Sequence, residues 1–256
     1  MTKLNIRSPF NAPVYHEETV SSTMDVSRTL ASAGEPHGTV ITADFQEAGR
    51  GRGQRVWQMN RGENLPLTLI LRYPLIEDMP VALTLRAGLA VSLAVEDFAP
   101  RLRSRVKVKW PNDILIDDKK NAGILCEAGG ETVRVGIGVN VAQKEFPAGL
   151  RGKATSIALA AQEDIAPDTR FILLEKILAR LFDELNAPQS ITDWKPRLEE
   201  RLYRKGEQVV FIEGETDSGR EVRGRLAGIG EGGELLILAE GEAHPRPFVT
   251  GELKFV

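Results

Sequence analysis

The chain has 256 residues, of which 42% are hydrophobic and 27% charged, the balance of an ordinary folded protein; disordered, collagen-like and disulfide-framework classes are excluded. A formal net charge of −3 offers no global attraction to nucleic acid or anionic membrane, so either kind of binding would need a local basic patch. The single cysteine, Cys126, forbids an intrachain disulfide, and three histidines leave little for zinc.

The start, MTKLNIRSPFNAP, has no apolar stretch behind its cations, and no apolar run approaches the roughly 18–20 residues that span a bilayer. A cytoplasmic protein is expected. Residues 14–20 read as a short strand, and Ser21-Ser22-Thr23 offers hydroxyl caps to a helix through about Ala33, closed by Gly34. Residues 38–43 form the next strand, which runs into a polar, glycine-rich loop over 46–57. A buried strand resumes at 65–71. Helical spacing of Val81, Leu85, Leu89 and Leu93 predicts a helix over 79–98, ended by Pro100.

From 101 to 109 cations alternate with apolar Leu102, Val106 and Val108, which predicts a strand with one basic face. A solvated face whose cations protect a sheet edge is preferred to a binding surface. Lys109-Trp110-Pro111-Asn112-Asp113 breaks that strand and 114–116 restarts it. Residues 117–120 make a polar turn, 122–126 and 133–141 are strands, and 171–185 and 194–202 are amphipathic helices. From Gly206 onward glycine punctuates short runs at 208–212, 220–227, 234–238 and 248–250, with a hairpin turn at Gly232-Gly233. The expected architecture is α+β: a mixed-sheet domain over 1–203 and a small all-β barrel over 204–256.

Two stretches can carry chemistry. In Gln46-Glu47-Ala48-Gly49-Arg50-Gly51-Arg52-Gly53-Gln54-Arg55-Val56-Trp57, glycines admit a ligand close to the backbone and three arginines bring permanent charge to one short loop. Such a loop can wrap a phosphate or stabilise charge developing on phosphoryl oxygens. In the second stretch, Asn112 and Asp113 offer oxygens to a nucleotide or Mg²⁺, and Lys120, seven residues past Asp113, can neutralise a carboxylate or phosphate. Taken singly, each has an ordinary explanation as a mobile loop or a capped turn. Other signatures fail: 149–154 lacks the residues of a P-loop, 136–141 lacks the third glycine of a dinucleotide fingerprint, and there is no G-x-S-x-G elbow. Cys126 lies in an apolar strand and reads as buried and inert.

Taken in order, the arginine loop with Trp57, Lys109 to Asp113, Lys120, Ala122-Gly123-Ile124-Leu125 and Gly136-Ile137-Gly138-Val139-Asn140 resemble the motif set of biotin protein ligases, over roughly residues 14–256. The resemblance implies a biotin/lipoate ligase-like catalytic domain and a small SH3-like C-terminal domain. It also implies two-step chemistry in which biotin is activated by MgATP as biotinyl-5′-AMP and passed to a lysine of a biotin carboxyl carrier domain. By the family's pattern Arg50, Arg52 and Lys120 are catalytic. Ser22, Thr23, Met24, Gln46, Gly49, Arg50, Gly51, Arg52, Lys120, Gly123 and Gly138 surround biotin. Arg52, Arg55, Trp57, Asn112, Asp113 and Asn140 lie on the ATP side, with Asp113 near Mg²⁺ and the body of Trp57 shielding the anhydride. No tightly bound redox cofactor or zinc is implied.

The chain departs from the pattern at Met24, where the family commonly has asparagine, and at Gly53-Gln54-Arg55, where a glycine commonly directly precedes the last arginine. Because the pattern begins by about Val14, a DNA-binding helix-turn-helix has no room before it, and no DNA binding is expected. No membrane partner is expected, and a homodimer is compatible with the reading. The alternatives are a lipoate or octanoate ligase or transferase of the same superfamily, and a non-catalytic biotin-binding protein.

Overall fold

The computed structural model describes residues 1–186, 194–214 and 219–254. Its first eight strands are β1 (Thr2–Lys3), β2 (Val14–Val20), β3 (Val40–Gln46), β4 (Asn64–Arg72), β5 (Val106–Lys109), β6 (Asp113–Ile116), β7 (Lys119–Gly129) and β8 (Thr132–Asn140). They form one mixed sheet in the order 1-2-3-4-8-7-6-5. Only the β2–β3 pair in it is parallel, joined by helix α1 (Thr23–Ser32) as a crossover must be. Ser22 caps that helix by accepting the Met24 N–H, and Gly34, at φ 91°, follows its end.

The sheet is covered on both faces, and this decides where a ligand can sit. Helix α2 (Leu83–Phe98) packs on one face, with Gly88 against Val108, Ile114 and Ile124. Helices α3 (Ile157–Ala161), α4 (Arg170–Asn186) and α5 (Trp194–Arg201) complete the layer, and Leu173, Leu174, Ile177, Leu178 and Leu198 join its core. On the opposite face lies α1, with Met24 over Gly136 of β8. Because strand side chains alternate, Val135, Ile137 and Val139 fill the core while Gly136, Gly138 and Asn140 line the α1 face.

Beyond α5, β9 (Gln208–Glu213), β10 (Arg220–Ile229), β11 (Leu235–Ala239), β12 (Arg246–Phe248) and β13 (Gly251–Leu253) form an antiparallel sheet in the order 12-11-10-9-13. This is the α+β architecture expected, with a small C-terminal sheet of SH3-like kind. Among the described residues no helix is long and apolar enough to cross a membrane.

The structure adds β1 and α3, which the sequence reading lacked, and in place of the run read at 248–250 it has β12 and β13 on either side of Val249-Thr250; two further elements differ in their bounds. Helix α2 starts at Leu83 rather than 79, because Ala82 is held at φ 56°, where no right-handed helix can pass. The basic strand over 101–109 shrinks to Val106–Lys109: Pro100–Leu102 is a 3₁₀ turn and Ser104 takes φ 68°. Nor do cations guard the edge. Lys109 is 1% exposed, and the free side of β5 is covered by main chain, with the Tyr203 N–H donating to the Val108 carbonyl at 2.9 Å.

Trp110 ties the second sheet to the first. Its indole N–H donates to the Gly233 carbonyl at 3.0 Å, and its ring meets Phe211 edge-on at 5.8 Å. A Trp110→Phe variant keeps most of the apolar contact but strands that carbonyl. It should lose about 1–2 kcal/mol of stability, seen as an earlier unfolding transition by circular dichroism; an unchanged midpoint would show the bond to be dispensable.

Candidate active site

The residues singled out from the sequence meet around one cavity of about 270 Å³ on the α1 face. Ser22, Thr23, Met24, Gln46, Arg50, Gly51, Arg52, Arg55, Trp57, Asn112, Asp113, Lys120, Gly123, Gly138 and Asn140 border it. Gly49 does not. It turns the loop from behind: its carbonyl accepts the Trp57 N–H at 2.9 Å, and a Cβ on it would stand 2.6 Å from the Trp57 carbonyl oxygen.

One end is built of uncharged polar groups. Gln46 Oε1 accepts from the Thr23 backbone N–H at 2.8 Å and from Thr23 Oγ1 at 3.1 Å, while Thr68 Oγ1 donates to Thr23 Oγ1 at 2.9 Å. These contacts lock three side chains that are all nearly buried. Met24, where the family's asparagine commonly stands, fills the space above Gly136; a Cβ on that glycine would lie 2.7 Å from the Met24 sulfur.

The floor is a row of cross-strand neighbours. Gly138, Gly123 and Asp113 face one another in register across β8, β7 and β6, and Pro66 of β4 and Lys109 of β5, outside the cavity lining, extend the row. Over its two glycines lies the indole of Trp57, close enough that a Cβ on Gly138 would meet Cε2 at 2.5 Å. Trp57 Nε1 and Asn140 Oδ1 are buried without a hydrogen-bond partner, so an open donor and an open acceptor belong to residues of the cavity wall.

Charge gathers at the other end. Lys120 Nζ lies 2.6 Å from Asp113 Oδ1 and 6.0 Å from the Trp57 ring centre. Its main chain is clamped, with its N–H donating to the Lys153 carbonyl at 2.8 Å and its carbonyl accepting from the Thr155 N–H at 2.9 Å. The three loop arginines reach three different walls. Arg50 pairs with Asp25 of α1 at 2.9 Å and Glu127 of β7 at 3.4 Å, Arg52 donates to Asn112 Oδ1 at 3.5 Å, and Arg55 donates to Glu252 Oε1 of β13 at 3.1 Å. Burial pulls Arg52 below the usual guanidinium range, with Glu252 resisting and Arg55 adding to the shift. Burial likewise pulls Lys109 down to about 8, against the carboxylates of Asp113 and Glu252. Cys126 is partly buried and desolvation pushes its thiol up to about 11, which suits an inert side chain.

Two parts of the wall escaped the sequence reading. Phe146, Leu150, Lys153 and Ala154 come from a segment weighed only against the P-loop pattern. Glu252 comes from the last strand, and its one sequence signal is an acidic residue between Gly251 and Leu253 in an otherwise apolar and basic terminus. Among the described residues no three His, Cys, Asp or Glu side chains could together hold a metal ion.

A flat, glycine-floored cavity with a neutral polar end and a cationic end, set on a mixed sheet, suits an enzyme that joins a small acid to a nucleotide. The family model for the biotin/lipoate A/B protein ligase family matches residues 17–142. The chain is 32% identical to the biotin–[acetyl-CoA-carboxylase] ligase of Mycobacterium tuberculosis over 239 residues, which is 88% of this chain and 85% of that one. It is 42% identical to the bifunctional ligase/repressor BirA of Bacillus subtilis over 159 residues, 59% of this chain and 48% of the relative, so it spans about half the length of that protein. The biotin protein ligase from Aquifex aeolicus in complex with biotin and ATP superposes with a TM-score of 0.79 at 29% identity, covering 94% of this chain and 97% of the other. The chain belongs to the biotin/lipoate A/B protein ligase family, and within it to the biotin protein ligases.

Proposed function

We propose that the protein is an ATP-dependent biotin ligase that forms biotinyl-5′-AMP and transfers biotin to a lysine of a carboxyl carrier domain. The observation that carries this reading is the meeting of Lys120, Arg52 and Arg55 at one end of a cavity whose other end is the neutral Thr23–Gln46 cluster. Three strand spacings, about 14 Å, separate β3 from β7. An uncharged ring with an acid tail lies naturally across them, its ring against Ser22, Thr23 and Gln46 and its carboxylate at Lys120.

In the first step a biotin carboxylate oxygen attacks the α-phosphorus of ATP, forming the acyl–phosphate bond as the bond to pyrophosphate breaks. Two anions must meet, and Lys120 sits where its charge offsets both. Arg52 and Arg55 serve the phosphates, and Asn112 and Asn140 the nucleotide. The loop that carries Arg50 and Gly51 closes over the product, and Trp57 on the glycine floor keeps water from the anhydride. In the second step the carrier's lysine amine attacks the acyl carbon, AMP leaves, and the amine gives up a proton as the amide forms. Mg²⁺ would accompany ATP and offset phosphate charge, and Asp113 is the carboxylate of the cavity wall that would meet it. Division of the chain into units of 1–203 and 204–256 belongs to the same reading, with Glu252 as the second unit's contribution to the site.

The relatives' names support biotin as substrate, and the Aquifex aeolicus protein is described with biotin and ATP. Incubation of purified protein with MgATP and either biotin or lipoate, followed by mass analysis, tests the proposal. Biotinyl-AMP from biotin is expected; an adenylate from lipoate alone would move the chain to the lipoate branch. Binding of biotin with no adenylate would mark a non-catalytic receptor.

A further inference from the structure

Behind the Lys120–Asp113 pair lies a charge that the proposed mechanism leaves unused. Lys109 is 1% exposed and stands directly opposite Asp113 across the β5–β6 ladder, its side chain on the cavity face. Two carboxylates act on it attractively, Asp113 of β6 and Glu252 of β13, and two cations repel it, Lys120 of β7 and Arg55 of the loop. Asp113 is the partner of Lys120 at 2.6 Å, and Glu252 is the partner of Arg55 at 3.1 Å. Lys109 therefore stands at the junction of two ion pairs, one within the first sheet and one joining the arginine loop to the second. With Arg52, which feels the same two carboxylates, the cluster holds four cations, Lys109, Lys120, Arg52 and Arg55, against Asp113 and Glu252.

We propose that Lys109 is a positioning residue for the phosphate end of the cavity, its buried ammonium engaging Asp113 and Glu252 so that Lys120 and Arg55 keep charge available for an anionic ligand. A buried charge is costly and is retained only where its partners repay it. An apolar residue here would leave two carboxylates for three cations, and Lys120 and Arg55 would be more fully neutralised by their own partners. Lys109 acts through those two carboxylates, and it links the C-terminal sheet to the reacting end of the cavity.

The inference rests on the reading of that end as a phosphate site, so the test uses inorganic pyrophosphate and biotin as separate probes. Calorimetric titration of the full chain and of Lys109→Met should show pyrophosphate affinity falling about tenfold, with biotin affinity changed less than about twofold. Lys109→Arg, which keeps the charge, should retain most of the pyrophosphate affinity, and it carries the test should the methionine variant not fold. Unchanged pyrophosphate affinity in Lys109→Met would overturn the assignment, as would equal losses for both probes or an arginine variant as weak as methionine. Failure of the wild-type protein to make an adenylate would instead reject the biotin ligase reading and leave the pyrophosphate comparison standing.

Discussion

Replacing Lys120 with methionine is expected to slow biotinyl-AMP formation by about 10²–10³-fold, while ATP-independent biotin binding weakens only a few-fold. The difference follows from where the charge acts. In the proposed mechanism the biotin carboxylate faces Lys120 in the ground state, and Asp113 already lies within 2.6 Å of that lysine. By the same proposal a second anion, the α-phosphate, then enters that space, and the ammonium would offset the repulsion between the two. The lysine is held rather than merely near: its main chain is bonded to Lys153 and Thr155 on one side, and β6 pairs with it on the other. Methionine keeps the stem and loses only the charge. Single-turnover adenylate formation and equilibrium biotin titration would separate the two quantities, and equal losses in both would assign Lys120 to binding alone.

The parts of this site that could be read from the sequence are those whose chemistry is local. The arginine loop announces itself by glycines and three cations within a few residues, and Gly136, Gly138 and Asn140 show their shared face by a spacing of two. The hydroxyl cap at Ser22 and the stop at Gly34 are equally local, and both stand where the sequence places them. Charge alternation over 101–109 misled because the same pattern is compatible with a turn, and positive φ at Ser104 is not encoded by any glycine. Lys109 defeated expectation for a different reason: it is buried, and one of the two carboxylates acting on it, Glu252, is more than a hundred residues away on another sheet. Likewise the tether from Arg55 to Glu252 and the clamp of 153–155 on Lys120 are long-range pairings that no local pattern reports.

The floor offers the second large effect. A Gly138→Val variant should bind biotin about 10–100-fold more weakly, because overpacking of about 1–3 kcal/mol falls directly on the indole that lies there. The Cβ alone would come within 2.5 Å of Trp57 Cε2 and 2.9 Å of its Nε1, and a rigid ring cannot bend away as a flexible chain end would. Nor is the Trp57 main chain free to shift. The Trp57 N–H donates to the Gly49 carbonyl, and Gly49 in turn leaves no room beside the Trp57 carbonyl. The ring must therefore swing out and take the arginine loop with it, so any adenylate formed should also escape faster into solvent, measurable by gel filtration of the loaded enzyme. Gly149→Ala is the control, since a Cβ there meets nothing within 4 Å and both quantities should stay at wild-type values. Wild-type biotin affinity in Gly138→Val would mean that Trp57 takes no part in the ligand-bound floor, and the shielding role assigned to its ring would fall.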